Sequence, residues 1–347
     1  MGSKVRLIVL ICVTLFSCSA AGQRRDLSIL DKILTDLEKR KQVMGSIAFS
    51  ENGVTTYARA FGFSKMKTGA KADTLTKYRI GSVSKLLTAT MTLQLVSEAK
   101  LNLDDKLSRF FPKWPNADKI TMKHLLRHES GIFNFGKSPN KKYQNIDPKS
   151  KEEIIAVFEN APVAFSPGKN VDYNNANYVV LSLIIEEIDK RDFAESLQAR
   201  IIKPLSLKNT HAGGFIDEAD NEASSYFWKN GWIENEDHYS PSLLGAGALV
   251  STPGDLNVFL KALFTHEILP KEQLREMMNL KGGMGLGLYV FPFYGKSAYG
   301  HSGNIDSFEA FSAYFPEENI AFSILLNANR KDFNKVLVRC LREYFGL

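Results

Sequence analysis

The chain has 347 residues, 44% of them hydrophobic, with 44 Lys+Arg against 38 Asp+Glu. This composition supports a full-sized core and excludes a disordered or collagen-like chain; at ~100–200 residues per domain it predicts two domains or one large domain carrying an insertion. The formal charge of +6 is spread along the sequence without a Lys/Arg block, which argues against nucleic acid, and Cys12, Cys18 and Cys340 are too scattered for a disulfide framework or a zinc site.

Residues 1–22 carry two cations (Lys4, Arg6), an apolar run from Leu7 to Phe16 and then small residues. That is the order of an export leader, too short in its apolar part for a permanent span. Two processings are open: cleavage within Ser19-Ala20-Ala21, or lipidation of Cys18 after the lipobox-like Leu15-Phe16-Ser17. Either predicts a periplasmic or extracellular protein, soluble or membrane-anchored as a lipoprotein, and removal of Lys4 and Arg6 leaves about +4. An amphipathic helix follows, with Leu30, Ile33, Leu34 and Leu37 at helical spacing. Two β-like runs, Ser46–Ser50 and Val54–Phe63, flank Glu51-Asn52-Gly53, a strong hairpin signal. Leu86 to Ala99 is apolar on nearly every side and predicts a buried helix. Residues 100–245 read as helices and long loops broken by prolines, with Tyr178–Ile188 a second strongly apolar helix. After Gly245-Ala246-Gly247, the aromatic and β-branched runs Gly287–Phe293, Phe308–Phe315 and Asn319–Asn327 predict strands, and Lys331–Phe345 closes the chain as an amphipathic helix. The pattern predicts an α/β (α+β) fold: one antiparallel sheet built from residues 23–81 plus 246–347 and flanked by the terminal helices, interrupted by a mainly helical domain at 82–245.

Several local motifs fail on inspection. Gly300-His301-Ser302-Gly303-Asn304 lacks the last glycine of a lipase elbow, Gly295-Lys296-Ser297 lacks the first glycine of a P-loop, and Gly283-Met284-Gly285-Leu286-Gly287 lacks the end of a dinucleotide fingerprint. His124 and His128 lack the Glu of a zincin, because Leu125 follows His124. Ser-x-x-Lys recurs at five places, but only Ser82/Lys85 stands at the start of an apolar helix. There the free N–H groups and positive end of the helix can stabilise a developing oxyanion. Lys85, one turn on among Leu86, Leu87 and Ala89, is expected to be desolvated and able to accept the Ser82 proton as an uncharged amine. The competing reading is a capping serine beside a snorkelling lysine.

The run Tyr78-Arg79-Ile80-Gly81-Ser82-Val83-Ser84-Lys85 resembles the nucleophile motif of the penicillin-recognising serine hydrolases, in particular the class C β-lactamase, DD-peptidase and esterase branch. The resemblance extends from about Met44 to Asn329, through Leu101–Asp105, Ile120 to Leu126, His128-Glu129-Ser130-Gly131, Phe165-Ser166-Pro167-Gly168 and Ser251-Thr252-Pro253-Gly254-Asp255. Tyr173-Asn174-Asn175 is similar to the family's Tyr-x-Asn, and His301-Ser302-Gly303 to its third motif, which is Lys-Thr-Gly in β-lactamases. The resemblance implies a β-lactamase/transpeptidase-like fold, no cofactor or metal, and an acyl-enzyme on Ser82. Lys85 and Tyr173 would share proton transfer, Asn175 would bond the substrate amide or Lys85, and the N–H groups of Ser82 and Asn304 would form the oxyanion hole. Which of Lys85 and Tyr173 is the base stays open, because a basic Tyr173 needs a cation beside it and a basic Lys85 must be uncharged.

His301 departs from the β-lactamase pattern. Its reference pKa of ~6.5 makes it mostly neutral at pH 7 where Lys-Thr-Gly supplies a permanent cation. Recognition of an anionic β-lactam is then weaker or pH-dependent. The expected function is a monomeric exported serine hydrolase of ester or peptide/amide bonds, acting on a small-molecule or peptide substrate, rather than an efficient β-lactamase. The alternative is a non-hydrolytic penicillin-binding or sensing protein of the same fold.

Overall fold

A computed structural model of the chain describes residues 26–134, 150–238 and 241–347. The predicted leader, Cys12 and Cys18, and the Ser138/Lys141 pair lie outside these residues. The strongest hairpin signal forms as expected: Val43–Glu51 and Val54–Phe61 pair antiparallel. Asn52 and Gly53 between them both hold positive φ, at 52° and 80°, the geometry that matches a two-residue turn to the twist of its strands.

This hairpin completes a mixed sheet whose main path runs Tyr289–Phe293, Lys296–Ile305, Phe308–Phe315, Ile320–Asn329, Val43–Glu51, Val54–Phe61. Neighbours on this path are antiparallel. The C-terminal strands precede the N-terminal ones in space, so the two ends of the sequence close one sheet. Tyr226–Trp228 joins it alongside Ile320–Asn329. A small second sheet, Tyr78–Arg79 with Leu249–Ser251 and His211–Ala212, is absent from the sequence expectations because strands of two or three residues have no readable alternation.

One face of the main sheet carries the terminal helices Ser28–Lys39 and Phe333–Phe345, which bury Leu30, Ile33, Leu34 and Leu37 on one and Val336, Leu337, Cys340, Leu341 and Tyr344 on the other. Phe49 is the hub: its ring stacks 3.8 Å from Tyr344 and 4.4 Å from Phe322. Burial pushes the Cys340 thiol up to about 12, which leaves it an inert packing group. The opposite face meets the helix Pro253–Phe264 and the long, buried helix Ser84–Ser97. Asn257 anchors the first of these: its amide donates to the Ala48 carbonyl at 3.1 Å and accepts from Ser323 Oγ at 2.8 Å.

Helix Ser84–Ser97 is buried from Ser84 to Leu93. Its three threonines are admissible because each hydroxyl is spent locally: Thr90 on the Leu86 carbonyl, Thr92 on the Thr88 carbonyl, and Thr88 on the Gly245 carbonyl across the interface. Helix Asn175–Asp189 packs beside it, buried over Ala176–Ile185. No helix among the described residues is long and apolar enough to cross a membrane.

The Phe49 stack fixes the C-terminal helix to the sheet. Phe49→Ala is expected to lower unfolding free energy by about 3–5 kcal/mol in urea denaturation, with an unchanged hairpin register.

Candidate active site

The chain enters the long helix through a 3₁₀ turn, Gly81–Val83, so that Ser82 precedes the first α-helical residue, Ser84, rather than capping it. Gly81 holds φ +50°, and Ser84 Oγ closes the turn by donating to the Gly81 carbonyl at 2.7 Å. Ser82 is half-buried while Lys85, one turn on, is 0% exposed.

Three oxygens surround the Lys85 amine: Ser82 Oγ at 2.9 Å, Asn175 Oδ1 at 2.8 Å and the Ala246 carbonyl at 2.6 Å. None is a carboxylate, and burial alone holds the Lys85 pKa well below its ordinary 10.5. The three neighbours are not equivalent. Amide and peptide oxygens can only accept, whereas a hydroxyl can also donate. An uncharged amine has two N–H bonds and one lone pair. Asn175 and Ala246 take the two N–H bonds, which leaves the lone pair facing the Ser82 hydroxyl.

Tyr173 reaches the same oxygen from the other side, its hydroxyl 2.7 Å from Ser82 Oγ. Burial raises its pKa, so it is a protonated phenol that donates to Ser82. The residues between the two motif positions explain the fixed geometry. Asn174 caps helix Asn175–Asp189 by accepting from Ala176 N–H at 2.9 Å, and its amide donates to the carbonyls of Ile132 and Phe133. The Asn174 N–H donates to His128 Nδ1 at 3.1 Å, and the His128 ring lies 4.5 Å from that of Tyr173. Burial drives His128 down to about 3, so Nδ1 stays an acceptor. Asn174 and His128 are therefore positioning groups that the motif, which reads residue 174 as variable, does not advertise.

The third segment arrives on strand Lys296–Ile305. Gly303 and Gly81 permit the approach: a Cβ on Gly303 would stand 2.1 Å from the Ile80 carbonyl and 2.9 Å from Ser82 N, and one on Gly81 would stand 2.9 Å from Asn304 N. The Ser82 and Asn304 amides are thus brought to one place. Arg79, 8% exposed, locks the approach by pairing with Asp306 at 3.1 Å and Asp237 at 2.5 Å. His301 is buried, its Nδ1 2.5 Å from the Ser302 carbonyl, which can only accept; Nδ1 therefore carries the hydrogen. Burial pushes its pKa down to about 3. Burial thus favours the neutral ring at pH 7.

All of Ser82, Tyr173, Asn175, His301, Ser302, Gly303 and Asn304 line one cavity of about 770 Å³, with Lys85 beneath it. A larger cavity, about 920 Å³, is lined by Phe110, Phe111, Trp114 and Lys151 and holds none of these groups. The tightest cluster of metal-ligand side chains among the described residues, His211, Asp220 and Glu222, lies outside the cavity at Ser82, and Lys77 is already 2.5 Å from Asp220.

Comparison with known proteins places the chain in a family and shows its fold. A family described as Beta-lactamase matches residues 30–339. A teichoic acid D-alanine hydrolase of Staphylococcus aureus is 26% identical over 303 residues, spanning 85% of this chain and 72% of that protein. Among solved structures, the D-amino acid amidase from Ochrobactrum anthropi SV3 has a TM-score of 0.76 at 26% identity, covering 90% of this chain and 98% of that one. The octameric penicillin-binding protein homologue from Pyrococcus abyssi gives 0.77 at 26% identity, covering 92% and 78%.

Gly303 offers a direct check on the close approach. Gly303→Ala forces two backbone segments apart, and acylation by an activated ester is expected to fall ~100-fold or more while the circular dichroism spectrum is retained. Wild-type acylation rates in a folded Gly303→Ala would contradict the arrangement.

Proposed function

The chain belongs to the Beta-lactamase family and is a serine hydrolase of the esterase or D-peptidase type, and from that premise we propose that Ser82 is its nucleophile, with Lys85 the base and Tyr173 the acid. The observation that carries this reading is the Lys85 amine, buried without a carboxylate and 2.9 Å from Ser82 Oγ.

As Ser82 Oγ bonds to the substrate carbonyl carbon, its proton passes to Lys85 Nζ. The carbonyl oxygen becomes an oxyanion and takes hydrogen bonds from the Ser82 and Asn304 N–H groups. Collapse of this intermediate breaks the ester C–O or amide C–N bond. The leaving oxygen or nitrogen takes a proton from Tyr173, and the Lys85 ammonium gives the proton it took from Ser82 back to the Tyr173 phenolate. Water then attacks the acyl-enzyme with Lys85 again as base, which frees the acid and restores Ser82. Asn175 and the Ala246 carbonyl hold the amine throughout, and Ser302 and Gly303 offer backbone to the bound chain.

The relatives named for D-alanine and D-amino acid amides support a D-aminoacyl ester or amide as the bond cleaved. Neutral His301 supports poor turnover of anionic β-lactams, since it offers no cation to a carboxylate. Export under the residue 1–22 leader, with or without a lipid on Cys18, and a monomeric state belong to the same proposal.

Two measurements test it. Burst kinetics with a nitrophenyl ester are expected to show an acyl-enzyme that is lost in Ser82→Ala and reduced ~1,000-fold or more in Lys85→Met; a full burst in Ser82→Ala would refute the nucleophile. The pH profile of kcat/KM is expected to rise as Lys85 loses its proton, with a midpoint below 10.5. No inflection in the ordinary histidine range is expected to move in His301→Gln, because His301 is neutral above about 3.

A further inference from the structure

The catalytic cavity continues past the nucleophile. Strand Tyr289–Phe293 covers strand Lys296–Ile305 only as far as Gly300, which pairs with Tyr289. Residues 301–305 are therefore an open edge, paired on one side alone with Phe308–Ser312. Side chains alternate across this edge. Ser302 and Asn304 share a face with their partners Phe311 and Glu309, and Phe311 packs in the core under the terminal helices. The cavity thus wraps over the strand edge, from Ser82 on one side to Glu309, Asp332 and Phe333 on the other.

The charge along this path is of one sign. Glu309 and Asp332 line the cavity, and among the described residues no Lys or Arg does. Glu309 is half-buried; one oxygen accepts from the Asn329 amide at 2.7 Å, and no cation among the described residues pairs with it. Asp332 caps the last helix through Asn334 N–H at 3.0 Å, and its nearest cation is the exposed Lys335, 3.9 Å away. Burial, and then Asp332, raise the Glu309 carboxyl above its ordinary value, an unfavourable pairing that a bound cation would relieve. Phe291, Phe311 and Phe333 in the same wall offer apolar surface for a chain and ring faces for its charge.

We infer that the enzyme selects substrates carrying a positively charged group, an ammonium or guanidinium, beyond the reacting carbonyl and across the strand edge from Ser82, where Glu309 and Asp332 bind it. The inference rests on acylation of Ser82 in this cleft. It explains the absence of a cation at His301 in a different way from simple loss: this cleft is built for the opposite charge.

Three nitrophenyl esters of equal chain length separate the possibilities: 6-aminohexanoyl, hexanoyl and adipoyl, carrying a distal positive, neutral and negative end. In the wild-type enzyme kcat/KM is expected to favour the 6-aminohexanoyl over the hexanoyl ester about 10-fold, with adipoyl last and the preference weakening in high salt. The ratio of the first two, read within each enzyme, is expected to fall to within about 2-fold in the double variant Glu309→Gln/Asp332→Asn, which keeps the Asn329 contact and the helix cap. Equal turnover of the two esters by wild type, or a ratio unchanged in the double variant, would overturn the inference. Absence of turnover for all three, or turnover that survives Ser82→Ala, would instead count against Ser82 as nucleophile.

Discussion

A lysine side chain taken fully out of water holds its charge only if the protein supplies an opposite one, and among the described residues around Lys85 none is supplied. What surrounds the amine is a hydroxyl, an amide oxygen and a peptide oxygen drawn from three distant parts of the chain. The site depends on that choice. A carboxylate in place of Asn175 would fix the ammonium and remove the lone pair from Ser82; a purely apolar wall would leave the amine unoriented. The arrangement also works against the fold. Unfolded, Lys85 keeps its proton up to about 10.5; folded, it sheds it earlier, so over the interval between the two values this residue destabilises the native state, less so as pH rises toward 10.5. The buried helix, the Phe49 stack and the Asn257 network carry that cost.

The second constraint is closeness. An oxyanion hole made from amides of two segments needs those segments to pass with no side chain between them, and Gly81 and Gly303 meet that need from both directions. The sheet then decides what reaches the site. Because its order places the C-terminal strands beyond the N-terminal hairpin, the open edge at 301–305 falls beside Ser82, and strand pairing carries Glu309 opposite Asn304. Charge on the binding surface is thus set by register rather than by the catalytic motifs.

Much of this was readable in the sequence, unevenly. Asn52-Gly53, the apolar run after Ser82 and the aromatic C-terminal strands depend on local residue type, and local type is what a sequence displays. Ser82 and Lys85 could be derived from chemistry and helical spacing; Tyr173, Asn175 and the His301 segment needed the family resemblance, since a lone Tyr or His carries no signature. The Ala246 carbonyl was invisible because every residue has one. Asn174, His128 and Arg79 act by holding others, and Glu309 and Asp332 meet only through strand register and the entry to the last helix. The base is open between Lys85 and Tyr173 in the sequence, and the proposal of Lys85 rests on burial, which favours the uncharged form of both groups.

The central claim concerns one proton, and it can be observed. Nuclear magnetic resonance of protein labelled with 13C and 15N at the lysine ε-carbon and ζ-nitrogen, with the Lys85 signal assigned from Lys85→Met, gives its titration directly. The account predicts a transition well below 10.5, at which the uncharged amine appears while the other lysines remain charged. A Lys85 signal titrating at or above 10.5 would contradict it.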